Sequence, residues 1–295
     1  MSGKPREHEV GDGAWSSLLG AEAQRASLVR IAELVEQHYF DETVARRCAE
    51  DVRRLPIEPT HTSATRFAER LTETLQPYDR HFRVQWGAWQ SRVRREPAVD
   101  ADAPALEGSV RDGIGTLLVR SFEDADDARE ANVALAALKA ISGADAVVLD
   151  LRDVPGGWPT MVEFLIGAFV GAEPVHILTF RSREGSMESW SRTVPDTTGL
   201  ADKPLAVFVD GGTASAAESC AYALQSLGRA KVVGESTAGA ANPGAPLDTG
   251  LGFTVFVSTG SPVDPRTGAN WEEVGVVPDV LSQDPSPVEL RKLLL

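Results

Sequence analysis

Up to about residue 90 the apolar positions recur at helical spacing. Leu28, Ile31, Ala32 and Val35 fall at i, i+3, i+4 and i+7, which lines one face of a helix. Asp41 stands where it can cap a second helix carrying Val44, Cys48 and Val52. Thr62 or Ser63 can cap a third, with Phe67, Ala68, Leu71 and Leu75 on one face. Three short amphipathic helices predict a small bundle over residues 14–90, preceded by a disordered tail, 1–13. The polar stretch from Arg92 to Pro104, with Arg-Arg-Glu-Pro and Asp-Ala-Asp-Ala-Pro, reads as a linker or exposed hairpin.

Beyond it the pattern changes to strands alternating with helices. Ile114 to Val119 reads as a strand and Asp124 to Ile141 as a helix. The continuous apolar run from Ala146 to Leu151 is that of a strand buried on both faces. A helix from about Pro159 to Val170 follows, then strands at Val175 to Phe180, Leu205 to Val209 and Lys231 to Gly234, with a helix leaving Ser215. The fold class is therefore α/β, a small N-terminal helical bundle followed by an α/β domain over 91–295. In such sheets the site lies at the carboxyl ends of the strands, where the loops after Leu151 and Val209 fall.

Composition narrows the function classes. A chain of 295 residues with 42% apolar content can bury a real core. Its net charge of −14 and pI of about 4.8 argue against a phosphate-binding surface, and no basic patch with interleaved aromatics points to nucleic acid. No stretch approaches a membrane span, and residues Met1 to His8 lead into no apolar run, so the expected location is cytoplasmic. Cys48 and Cys220 lie on apolar helix faces and read as buried thiols, with a single disulfide between them left open. The chain has no His-Glu-x-x-His, no paired Cys-x-x-Cys and no Gly-x-x-x-x-Gly-Lys-Ser/Thr loop, so no metal or other cofactor is expected. The acidic run Glu123 to Asp127 lacks the spacing of a calcium loop, and Asp124 reads as a helix N-cap.

The candidate chemistry starts at Asp210-Gly211-Gly212-Thr213-Ala214-Ser215-Ala216-Ala217-Glu218. An apolar strand runs into this segment and a helix leaves it. Such a junction exposes one residue at the head of a helix, where free N–H groups and the helix dipole favour negative charge. A nucleophilic serine needs that setting. Ser215 and Glu218 are also an ordinary capping box, and on those two residues alone the cap is the commoner reading. A second loop, Arg152-Asp153-Val154-Pro155-Gly156-Gly157-Trp158-Pro159, follows the buried strand. Its glycines permit a backbone geometry closed to other residues, and their N–H groups can serve an oxyanion hole. The alternative is a plain strand-to-helix turn.

Together these segments resemble the tail-specific, or carboxyl-terminal processing, serine proteases. Asp150 to Gly157 resembles the family's Asp-Leu-Arg-x-Asn-x-Gly-Gly signature, Gly212 to Glu218 its nucleophile segment, and Gly228 to Glu235 the strand that follows. Gly239 to Gly244 and Thr267 to Asp279 are similar to the branch that includes interphotoreceptor retinoid-binding protein modules. The resemblance covers about Leu28 to Val280. It implies a crotonase-like α/β domain and peptide cleavage through an acyl-enzyme. Ser215 matches the nucleophile, the N–H groups of Gly157 and Ala216 the oxyanion hole, and Gly156, Gly212 and Gly239 the substrate-binding surround.

One branch of the family uses a lysine base, and Glu235 to Ala240 offers none. The branch that includes the tricorn core protease uses histidine with a glutamate. Tyr78 to Val84 resembles its Asp-x-His element, which brings His81 forward as base, and Glu272 matches the acid with Glu273 as rival. A lone histidine at a strand start is otherwise a packing or surface residue. Val154 stands where the signature often has Asn, and the segment after His81 is too short for a PDZ domain. The expected partner is a peptide or protein, and a homo-oligomer is compatible with this reading. Two other functions carry the same residues: a silent binding module for retinoid-like or fatty-acid-like ligands, and an acyl transferase or maturation peptidase.

Overall fold

The computed structural model describes residues 18–89, 103–194, 199–282 and 292–294. The expected tail and most of the polar stretch 92–104 lie outside the described residues. Contacts divide the chain into two units. The first takes the described residues up to Gln37, with Val44–Trp89 and Pro246–Phe256, and the second takes His38–Thr43 and the remainder.

The first unit opens with the helices that the periodicity predicts: α1 (Ala21–His38), α2 (Glu42–Arg54) and α3 (Ala64–Leu75). Asp41 Oδ1 accepts the Thr43 N–H at 2.8 Å at the head of α2. Ser63, not Thr62, caps α3, its hydroxyl accepting the Arg66 N–H at 3.2 Å. Short strands β1 (Leu18–Leu19) and β2 (Thr62–Ser63) pair antiparallel. Leu28, Ile31, Val35, Cys48, Val52, Phe67, Leu71 and Leu75 are all buried, each large side chain contributing about 1.5–3 kcal/mol. The bundle is not purely helical. β3 (Arg83–Trp86) pairs antiparallel with β12 (Phe253–Ser258), Val84 opposite Val255, and β11 (Gly244–Asp248) lies beyond β12 in the same sheet. Phe253 packs 6.0 Å from the Phe67 ring and edge-on to Trp86 at 4.8 Å.

The second unit is built on a sheet of β4 (Leu106–Arg111), β5 (Ile114–Val119), β6 (Ala146–Asp150), β9 (Leu205–Val209), β10 (Lys231–Gly234) and β14 (Val280–Leu281), in the order β14-β10-β9-β6-β5-β4. All neighbours are parallel except β4, which returns antiparallel along β5. Residues alternate between the two faces. Val147, Leu149, Leu205, Val207 and Val232 join one cluster with Ala134 and Leu138 of α4 (Ala128–Ala140), Met161 and Leu165 of α5 (Pro159–Val170), and Ala217 and Leu224 of α6 (Ala216–Ser226). Ala146, Val148, Ala206, Phe208 and Val233 form a smaller cluster with Leu294.

Two expectations are corrected here. Val175 to Phe180 does not extend the parallel sheet. It becomes β7 (His176–Ser182), the centre of a separate antiparallel sheet between β8 (Gly185–Trp190) and β13 (Gly260–Val263). A tight hairpin can join antiparallel neighbours, whereas a parallel one needs a crossover, and β7 runs straight into β8. Asp124 does not cap α4. Asp127 does, through the Arg129 N–H at 2.8 Å, while Asp124 accepts the Asp126 N–H and the Thr160 hydroxyl, bonds that hold its carboxyl below the ordinary range. Cys48 and Cys220 are free buried thiols, pushed up to about 12 by burial. No helix among the described residues is long and apolar enough to cross a membrane.

Candidate active site

β6 and β9 are adjacent and parallel, with Asp150 opposite Phe208, so the loops leaving their carboxyl ends run side by side. Asp210 ties them together. Its Oδ1 accepts the N–H groups of Gly212 at 2.9 Å and Thr213 at 3.0 Å in its own turn, and that of Asp153 at 3.0 Å in the other loop. The buried Thr213 hydroxyl donates to the Leu151 carbonyl at 2.8 Å, and the Ala214 N–H donates to the Val154 carbonyl at 2.9 Å. Ser215 comes next, exposed, at φ 54 and ψ −118, with α6 starting at Ala216. An ordinary N-cap is extended. A non-glycine residue in this region costs on the order of 1–3 kcal/mol and persists only where its surroundings impose it.

Glu218 supplies much of that imposition. Its carboxylate is fully buried and accepts the Ser215 N–H at 2.8 Å, the arm of the capping box that the Ser-x-x-Glu spacing predicts. It also accepts the Thr237 hydroxyl at 2.5 Å and the N–H groups of Gly239 at 2.7 Å and Ala240 at 2.9 Å. The next two amides, Ala241 and Asn242, donate to Glu272 Oε2, each at 2.9 Å. Four successive N–H groups are thus strung between two carboxylates, one of which holds Ser215. Glu272 is half-buried, whereas Glu273 is exposed at φ 64 and donates its N–H to the Gly239 carbonyl. Asp210, Thr213 and Glu218 are site-building residues whose wider reach the sequence reading missed. The Asp-Gly-Gly-Thr turn and the capping spacing were the available signals.

The glycine loop meets this turn directly. Gly156 has φ +107, and a Cβ there would stand 2.8 Å from Ser215 Cβ and 2.9 Å from the Ala216 nitrogen. Gly157, at φ +142, is bridged to Phe122: the Phe122 N–H donates to the Gly156 carbonyl at 3.2 Å, and the Trp158 N–H donates to the Phe122 carbonyl at 2.7 Å. In a parallel bridge of this kind the central residue turns its own N–H away from the partner strand. The Ala216 N–H belongs to the first helical turn, where backbone donors lack intrahelical acceptors. Gly212 packs on Asp153, Gly239 packs on Glu273, and Val154 is 1% exposed. A cleft of about 440 Å³ opens at the carboxyl ends of the strands, lined by Leu118, Asp150, Arg152, Asp153, Val209, Asp210 and Glu235.

His81 belongs to the first unit. It sits in the turn between α3 and β3, where Asp79 Oδ1 accepts its backbone N–H at 2.8 Å and lies 3.1 Å from Nδ1. His176, outside these elements, stacks on Trp190 at 4.8 Å. Of the sequence candidates, Ser215, Ala216, Gly156, Gly157, Gly212, Gly239 and Glu272 all stand on the connected loops of the second unit.

The model of peptidase family S41 matches residues 113–282. A carboxyl-terminal-processing protease of Picosynechococcus sp. is 36% identical over 146 residues, 48% of this chain and 33% of that protein. The alignment thus spans about a third of that curated relative. Among solved structures, the photosystem II D1 C-terminal processing protease has a TM-score of 0.59 at 16% identity, covering 92% of this chain and 96% of that one. The tricorn protease gives 0.59 at 13% identity, over 89% of this chain and 34% of that one. At these identities the structural likeness speaks for the fold.

Proposed function

The chain belongs to peptidase family S41, and from that premise we propose that it is a serine-type peptidase cleaving peptides or proteins through an acyl-enzyme. Ser215 Oγ attacks the scissile carbonyl and His81 takes the hydroxyl proton. The tetrahedral oxyanion is received by the Gly157 and Ala216 N–H groups. The C–N bond then breaks, His81 returns the proton to the leaving amine, and water releases the acyl group by the same route. Glu272 supplies the carboxylate of the triad.

The observation that carries this reading is the conformation of Ser215. A helix cap needs neither a positive φ nor a fully buried carboxylate gripping four donors, and a serine aimed out of its turn beside a glycine loop needs both. Val154 in place of Asn fits the same scheme, since its contribution to the neighbouring turn is made by its backbone carbonyl.

Intact-mass spectrometry after exposure to a fluorophosphonate tests the reading, with Ser215→Ala and His81→Ala alongside. One adduct on the wild-type protein, lost in both variants, is the expected result. A folded wild-type protein that gains no adduct, or a Ser215→Ala protein that still gains one, ends the proposal. Saturable binding of a fatty acid without any adduct would favour a binding module instead.

A further inference from the structure

Asp79 stands in the tight turn after α3, and its side chain is only 2% exposed. Both flanks of that turn are anchored. The Tyr78 N–H donates to the Leu75 carbonyl and its hydroxyl to Asp51 Oδ2 at 2.5 Å. The Phe82 N–H donates to the Asp79 carbonyl at 3.1 Å, and the Phe82 side chain is fully buried. From this fixed position a single oxygen, Oδ1, grips His81 twice, at its backbone N–H and at its ring. The ring also lies 6.2 Å from the Phe256 ring.

A carboxylate only accepts hydrogen bonds. The ring nitrogen facing Asp79 is therefore the protonated one, and the lone pair is on Nε2. That is the tautomer in which Nε2 can take a proton from a serine hydroxyl. A carboxylate at Nδ1 also favours the imidazolium formed in that step. We propose that Asp79 is the positioning residue that sets the tautomer and orientation of His81. Glu272 remains the second carboxylate of the proposed site, and its Oε2 accepts the Ala241 and Asn242 amides. The inference rests on the reading of His81 as the base.

The test is long-range proton–nitrogen NMR on the whole chain labelled with ¹⁵N-histidine, at a pH above the imidazole range. Five histidines give five spin systems, and His81→Ala identifies the relevant one. The wild-type protein is expected to show His81 protonated at Nδ1. In Asp79→Ala nothing is left to accept the Nδ1 proton, so the Nδ1–H tautomer loses its hold, the Nε2–H form grows at its expense, and the fluorophosphonate reaction slows by about a hundredfold or more. An Nε2–H tautomer in the wild type overturns the proposal, even if Asp79→Ala fails to fold. An unchanged tautomer in a folded Asp79→Ala protein overturns it too. An Nδ1–H tautomer in a protein that never reacts with the fluorophosphonate supports the role of Asp79 and counts against the peptidase reading, so the two failures are separable.

Discussion

Ser215 holds its φ of 54 against an intrinsic preference for negative values. Removing its Cβ should therefore help the fold. Relief of about 1–3 kcal/mol of strain exceeds the 0.5–1 kcal/mol or so that glycine costs through chain entropy. Ser215→Gly is expected to be about 1 kcal/mol more stable in urea unfolding while losing all reaction with a fluorophosphonate. A variant less stable than wild type would show that the serine is not strained. Glu218 is the counterpart. Glu218→Gln presents an amide NH₂ to donors that want an acceptor, and a loss of about 3 kcal/mol is expected, together with loss of labelling. At this scale the sequence was legible as residue types and spacing. The Ser-x-x-Glu pair did form one arm of a cap, but spacing could not show that the same carboxylate also takes Thr237, Gly239 and Ala240.

The strand-to-helix junctions were the most readable elements. β6 into α5 and β9 into α6 lie where apolar runs ended in glycine turns, because buried parallel strands demand unbroken apolar sequence. Their glycines are not equivalent. A Cβ on Gly157 would meet the Phe122 carbonyl oxygen at 2.1 Å, whereas one on Gly211 meets nothing within 4 Å. Gly157→Ala should break the bridge to Phe122 and cost about 3 kcal/mol, with labelling lost. Gly211→Ala should stay within about 0.5 kcal/mol of wild type. Equal losses in the two variants, measured by urea unfolding, would contradict this difference. β7 was legible as a strand and misassigned to a sheet, since its apolar pattern does not name its partners.

Burial across the whole molecule decides its response to alkali. Cys220 is enclosed in the second unit, and its thiol is pushed up to about 12, against about 8.5 in an unfolded chain. With the folded value raised, the contribution is fully present below about 8.5 and is lost as pH climbs toward 12. At about pH 10 the loss amounts to roughly 2 kcal/mol. Urea midpoints of wild type and Cys220→Ala, compared at neutral pH and at about pH 10, should show a smaller alkaline drop in the variant. Equal drops would mean that this thiol is not the group responsible.

The helix start at Asp41, a third start at Thr62 or Ser63, the apolar faces of α1 to α3, the β6 and β9 strands and the two glycine turns were all determined by the sequence alone. Each rests on interactions that reach no further than a turn of helix or the next residue of a strand. Only the tertiary structure decided that β12 pairs with β3, whose Gly87 flank accepts from Thr254 across 167 residues, that β7 leaves the parallel sheet, and that Ser215 is forced to positive φ. Those outcomes depend on which apolar surfaces meet and which buried donors need an acceptor, and such partners are chosen in space, where sequence distance carries no signal.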